Sequence, residues 1–129
     1  DTLVGGSGDD TLLGGEGLDA LMGGGSDVLD GGDGDDTLEL SEATGGSVSG
    51  GSGTDSLTLF GFGNAVTIDG VELVAGGSGD DSLTVTTNDI QSVSGNEGFD
   101  AVVLTDASGN TVDLNGVEII TGSSDEVIL

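Results

Sequence analysis

The chain contains no lysine, arginine or histidine, and against that absence stand 25 acidic residues in 129, a formal charge of −25. No side chain can neutralise any other. Self-repulsion of this size disfavours compact states, so the chain must either stay disordered or fold around cations. The same balance excludes nucleic acid as a direct partner and disfavours anionic lipid. Cysteine is also missing, which rules out disulfides and thiolate metal sites. Tryptophan and tyrosine are absent, and three Phe and one Met are the only other large, non-aliphatic apolar residues. Backbone ladders and metal ligation must therefore carry an unusual share of stability. No apolar run approaches the ~20 residues of a membrane span, so no membrane insertion is expected, and no signal peptide is visible. Paired carboxylates can run glycoside hydrolysis, but the usual partners His, Cys, Lys, Arg and Tyr are absent. No enzyme activity is expected.

What remains is periodic. Gly5 to Leu13 reads Gly-Gly-Ser-Gly-Asp-Asp-Thr-Leu-Leu, a nonapeptide with glycine at positions 1, 2 and 4, aspartate at 6 and an apolar residue at 8. Gly14 to Met22, Gly31 to Glu39, Gly50 to Thr58 and Gly76 to Thr84 repeat it in full. Gly23 to Asp30 lacks one residue, and Gly95 to Val103 has Asn96 for the second glycine. Third-position periodicity of helices is nowhere present, and glycine recurs too often for a helix. Glycines at 1, 2 and 4 permit positive φ and leave carbonyls unobstructed. Calcium takes six to eight oxygens, which stacked turns of carbonyls and carboxylates can supply. Position 8 (Leu12, Leu21, Leu29, Leu38, Leu57, Leu83 and Val102) is expected to point inward from a short strand. Two nonapeptides make one rung of about 18 residues, and rungs stack ~4.8 Å apart.

A longer period of about 45 residues lies behind the short one. Gly50 to Asp55 repeats Gly5 to Asp10 and returns as Gly95 to Asp100, and Ser47-Val48-Ser49-Gly50 returns as Ser92-Val93-Ser94-Gly95. Five nonapeptides fill such a block. Residues 1–39 form a dense set of calcium-type turns within a single solenoid spanning 1–129. From residue 40 onward the repeats degenerate, with Asn64, Glu72, Asn110 or Glu118 in place of aspartate. There the aliphatic alternation strengthens, in Leu57/Leu59, Val66/Ile68, Val71/Leu73, Leu83/Val85, Val102/Leu104, Val112/Leu114 and Val117/Ile119. Asp9, Asp35 and Asp80 vary among copies and are expected in solvent or an outer shell, and solvent is favoured for Glu72 and Glu118. Phe60, Phe62 and Phe99 fit either a contact surface or core filling.

The first 39 residues closely resemble the RTX, or haemolysin-type, calcium-binding repeats, with weaker resemblance from 40 to 129. The resemblance implies an all-β, right-handed parallel β-roll with several calcium ions in its turns. It implies Asp10, Asp19, Asp27, Asp36, Asp55, Asp81 and Asp100 as ligands. Carbonyls around Gly6, Gly8, Gly15, Gly17, Gly24, Gly32, Gly34, Gly51, Gly53, Gly77 and Gly79 would complete the sites. Each site needs two good turns on one edge. The starts at 5/23, 14/31 and 31/50 meet that need, whereas Gly76 and Gly95 are expected to stack on degraded turns.

Family resemblance also implies secretion, with folding outside the cell where calcium is abundant. Two functions fit. The favoured one is a structural segment of a surface protein, adhesin or extracellular fibre. Incomplete repeats at Asp1 to Val4 and Val127 to Leu129 suggest an array cut from something longer, able to associate head to tail into filaments. The alternative is a calcium-triggered folding and secretion domain of a larger enzyme or toxin. Uneven loss of the aspartates favours the scaffold, since a spacer needs only its rungs.

Overall fold

Short runs of alternating apolar and polar residues between glycine turns can pair only with their like in the next repeat. A computed structural model, describing residues 1–86, 90–105 and 113–122, shows this pairing carried through. One sheet contains β1 (Thr2–Val4), β3 (Ala20–Gly24), β5 (Thr37–Ser41), β7 (Ser56–Phe60), β9 (Leu73–Ala75), β11 (Ser92–Ser94) and β13 (Asp113–Asn115), in that order. The other contains β2 (Thr11–Glu16), β4 (Val28–Asp33), β6 (Thr44–Ser52), β8 (Ala65–Asp69), β10 (Ser82–Val85), β12 (Ala101–Leu104) and β14 (Ile119–Gly122). Successive strands alternate between the sheets, and each pairs in parallel with the strand two places on. The result is an all-strand β-solenoid of about six turns with roughly 19 residues per turn. That is slightly more than two nonapeptides, because several rungs carry inserted residues. Asn110, Val112, Val127, Ile128 and Leu129 lie outside the described residues.

Parallel register stacks like on like. Leu3, Leu21, Leu38, Leu57, Val74, Val93 and Leu114 form one inward column. Leu12, Leu29, Val48, Ile68, Val85 and Leu104 face it from the other sheet. All seven position-8 residues are buried, as the spacing predicts. Nothing larger than Leu or Ile lies in the core, so the rungs stay narrow and the sheets lie close.

Two expectations about direction fail. Val71 is buried, but Leu73 is 42% exposed and Val74 takes the inward place. Gly70, Val71 and Glu72 form a three-residue turn, so the strand begins one residue later than the alternation suggests. A slip of one residue sends each side chain to the other face. Val117 and Ile119 repeat the pattern, the first partly buried against the core and the second 44% exposed. Core filling by phenylalanine is excluded, because Phe60, Phe62 and Phe99 all stand outside.

Leu38 sits fully buried in mid-column. Leu38→Ala should destabilise the calcium-loaded fold by about 2–5 kcal/mol, cavity included. Thr11→Ala, on an exposed outward position, should stay within about 0.5 kcal/mol. Denaturant midpoints measured in excess calcium check both.

Candidate metal centres

The residue immediately before a strand holds a repeated station on the edge of the solenoid. On one edge these are Asp10, Asp27, Ala43, Asn64, Asp81, Asp100 and Glu118, and on the opposite edge Asp19, Asp36, Asp55 and Glu72. At Asp10, Asp19, Asp36, Ala43, Asp55, Asn64, Asp81 and Asp100 the backbone N–H donates to the side-chain oxygen at the same station one rung on. Asp10 N–H reaches Asp27 Oδ1 at 2.7 Å, Asp19 reaches Asp36 at 2.8 Å and Asp36 reaches Asp55 at 2.8 Å. Asp81 N–H reaches Asp100 Oδ1 at 2.8 Å. Position-6 aspartate is thus a rung-to-rung connector before it is anything else.

Replacements keep the connection. Glu72 Oε2 accepts from Asp55 N–H, and Glu118 Oε2 from Asp100 N–H, both at 2.7 Å. Their longer side chains compensate for shorter turns. The solvent expectation for Glu72 is therefore wrong, for it is buried, and Glu118 is tethered although exposed. Asn64 Oδ1 accepts from Ala43 N–H at 3.0 Å, while its own N–H and Nδ2 both donate to Asp81 Oδ1, at 2.7 and 2.9 Å. Ala43 has no side-chain oxygen to offer. Accordingly Asp27 N–H turns back to Gly24 O at 3.1 Å. Asp9, Asp35 and Asp80 are exposed, with Asp35 and Asp80 accepting from Thr54 and Phe99 N–H at 2.9 Å.

The second carboxylate oxygen carries the chemistry. Oδ2 of Asp10, Asp19, Asp36, Asp55 and Asp100 is buried with no hydrogen-bond partner. In Asp27 and Asp81 it accepts from Gly24 and Gly77 N–H, at 2.8 and 2.9 Å. A buried, unpartnered carboxylate oxygen costs several kcal/mol unless something binds it.

First-position glycines make room beside these oxygens. A Cβ on Gly5 would meet Asp27 Oδ2 at 2.9 Å and Asp10 Oδ2 at 3.1 Å. On Gly76 it would meet Asp81 Oδ2 and Gly95 O, both at 2.7 Å. Gly14, Gly31, Gly50 and Gly95 repeat the arrangement, each setting its own repeat's aspartate beside the carbonyl of Gly31, Gly50, Gly70 or Gly116. These carbonyls are absent from the implied ligand set, because a sequence shows which glycines recur but not where their oxygens point. First-position glycines are not in the positive-φ region; they are needed for space. Positive φ is found instead at positions 2 and 4 of most copies, though not at Gly24 or Gly77; Gly32 (104°) and Gly34 (127°) lie directly over the carbonyls of Gly15 and Gly17. The implied carbonyls of Gly32, Gly34 and Gly79 likewise abut Gly51, Gly53 and Gly98. Over Gly6 and Gly8 the pattern lapses. The shortened repeat places Gly25 in open space.

No group of three or more carboxylates converges among the described residues, so a cation here must draw much of its shell from carbonyls. Hard oxygen donors of this kind fit calcium. Turns starting at Gly14, Gly31 and Gly50 stack consecutively on one edge, and those at Gly5 and Gly23 on the other. Gly76 and Gly95 do not stack only on degraded turns, as the sequence suggests. They stack on each other, Gly76 N–H donating to Ser94 O at 2.7 Å.

Burial is the main reason that Asp55 and Asp100 are pushed above the ordinary carboxylate pKa. Backbone N–H donation from Asp36 and Asp81 opposes it, and neighbouring carboxylates (Glu72, Asp36 and Asp35; Asp81, Glu118 and Asp80) add to it.

The RTX calcium-binding nonapeptide repeat matches the chain in four copies over residues 1–25, 23–42 and 67–84, a little under half its length. No curated protein and no solved structure matches. Repeat, solenoid and oxygen-lined turns agree: the chain is an all-strand β-solenoid that carries RTX calcium-binding nonapeptide repeats over the matched residues.

Proposed function

We propose that the chain is a calcium-stabilised structural solenoid of a secreted surface protein, a segment of a fibre, adhesin or surface layer. One observation carries this reading. Five buried aspartate oxygens without partners stand along the two edges, in a chain with no cationic side chain. Asp10, Asp19, Asp36, Asp55 and Asp100 would hold calcium through Oδ2, with Asp27 and Asp81 contributing after giving up a glycine N–H. Carbonyls of the stacked glycines complete the shell. Bound calcium supplies positive charge and links one turn to the next. The affinity of extracellular calcium modules, about 0.1–1 mM, suffices where calcium is plentiful.

The scaffold role is supported by what happens where calcium turns are lost. Turns 41–43, 61–64 and 70–72 lack the nonapeptide pattern, yet the sheets continue across them without a break. Asn64 and Glu72 keep the rungs joined without a metal. Rungs persist where calcium turns do not. Head-to-tail association into filaments belongs to the same reading, since the parallel ladder that joins rung to rung is of a kind that also joins one copy to another.

Chelator should convert the strand spectrum to coil in circular dichroism, and millimolar calcium should restore it. A spectrum indifferent to chelator would refute the calcium requirement. Asp36→Asn, at the centre of three stacked turns, should raise the calcium midpoint by about tenfold.

Acid tests the same carboxylates with opposite signs. Raised pKa values at Asp55 and Asp100 mean that the metal-free fold binds protons there more tightly than the unfolded chain does. Asp55 and Asp100 therefore favour the metal-free fold below about pH 4, the ordinary carboxylate value, and that contribution is lost as pH rises through their raised values. With chelator present, strand content should increase on acidification from neutrality. In calcium the trend should reverse, because protons displace the metal. Parallel pH titrations by circular dichroism distinguish the two.

A further inference from the structure

The chain has only three aromatic residues, and all of them lie outside the core on one edge. Phe60 closes β7, Phe62 lies in turn 61–64 and Phe99 in turn 95–100; they are 48%, 85% and 54% exposed. Backbone bridges join Phe62 to Ser78 and Ser78 to Glu97, which aligns three successive turns. Phe99 is thus two rungs from Phe62, roughly 10 Å along the solenoid. Acidic groups frame the rings. Exposed Glu42 donates its N–H to Phe60 O at 2.8 Å, and exposed Asp80 accepts from Phe99 N–H at 2.9 Å. Glu97, also exposed, shares the bridged column with Phe62.

Burying none of three rings in a chain this short of apolar bulk gives the fold little. An aromatic face beside carboxylates attracts one kind of group strongly, a cation, through the ring quadrupole and the charge together. The chain has no cationic side chain, and its N-terminal ammonium is paired with Asp19 on the opposite edge, so the rings meet a cation only from outside. A second copy is a poor occupant, because it offers no lysine, arginine or histidine side chain to meet the rings. An anionic partner is repelled, and a purely apolar one would strip water from Glu42, Asp80 and Glu97 without compensation. We infer that this edge docks an extended, arginine- or lysine-bearing segment of a protein partner. Arginine suits it better, since its planar guanidinium stacks on rings and pairs with carboxylates at once.

A short peptide of alternating Arg and Ser serves as probe, titrated calorimetrically into the calcium-loaded chain at about 0.15 M salt, where general attraction is screened. Each exposed ring should contribute about two- to fivefold in affinity. The triple Phe60→Ala, Phe62→Ala, Phe99→Ala variant should therefore bind at least about tenfold more weakly, at unchanged net charge. Leucine at the same three positions should lose as much, because it keeps apolar area but not the ring face. Leu18→Ala, removing an exposed apolar side chain from the opposite edge, should change nothing. Circular dichroism in calcium certifies each fold; if the triple variants do not fold, Phe62→Ala alone should lose about threefold. No measurable binding by the parent chain overturns the inference. So does a ring-free variant matching the parent, leucine preserving affinity, or an equal loss in Leu18→Ala.

Discussion

Everything in this structure depends on placing carboxylates above one another at the rung spacing of a parallel sheet. Two unit charges ~4.8 Å apart repel by roughly 3 kcal/mol at an effective dielectric near 20. The stations at Asp19, Asp36, Asp55 and Glu72 repeat that juxtaposition three times in succession. Each carboxylate answers with a division of labour. At Asp36 and Asp55 Oδ1 takes a backbone N–H from the preceding rung, a charge-assisted bond of the stronger kind, and at Asp19 it takes the N-terminal ammonium, while Oδ2 is left toward the turn carbonyls. One half of the side chain builds the ladder and the other half demands a cation. Calcium binding and rung stacking are therefore one event here, since the oxygens that would hold the ion come together only when rungs stack.

The same division explains where the metal turns can be given up. A station needs an oxygen for the N–H before it, and Asn64 and Glu72 supply one. Asn64 goes further. Its Nδ2 donates to Asp81 Oδ1, putting a neutral amide where a like charge would otherwise face Asp81. Ala43 marks the limit of this tolerance: without an oxygen, the N–H of Asp27 folds back into its own turn. Backbone bonds still join the rungs there, Thr44 N–H donating to Gly25 O at 2.9 Å and Ser47 N–H to Asp27 O at 3.2 Å, and Ala43 itself is buried in the core.

Much of this was legible because the repeat is a physical unit. Period nine, with glycine at fixed places and an apolar residue at the eighth, admits one stacking solution, and Leu12 through Val102 occupy it. What escaped the sequence followed from turn length. Alternation across Val71 and Leu73 looks like one strand until the turn of Gly70, Val71 and Glu72 is seen to hold Val71 outside it. Gly76 and Gly95 look isolated along the chain, since residues 85–94 between their repeats carry no nonapeptide pattern. In space that excursion is half a rung, and the two turns touch. Glu72 looked solvated because glutamate usually is; only its rung neighbour's N–H shows why it turns inward. The phenylalanines were ambiguous for a different reason. Rung width decides whether a ring fits inside, and width is set by every rung together.

The two edges are consequently unequal. One carries three consecutive full turns, so Asp36 has a calcium-type neighbour on either side. The other carries two separate pairs, divided by the stretch from Ala43 to Asn64 that needs no metal. Ions bound on the first edge would share a middle turn, so that ordering that turn for one ion would prepare it for the next. Ions in the separated pairs share none. Coupling between them must run through the aliphatic columns, which are continuous from Leu12 to Leu104. A solenoid is close to one-dimensional, each rung sensing chiefly its neighbours. The metal-free stretch therefore acts as a bridge, holding strands in register between two calcium pairs that would otherwise order independently.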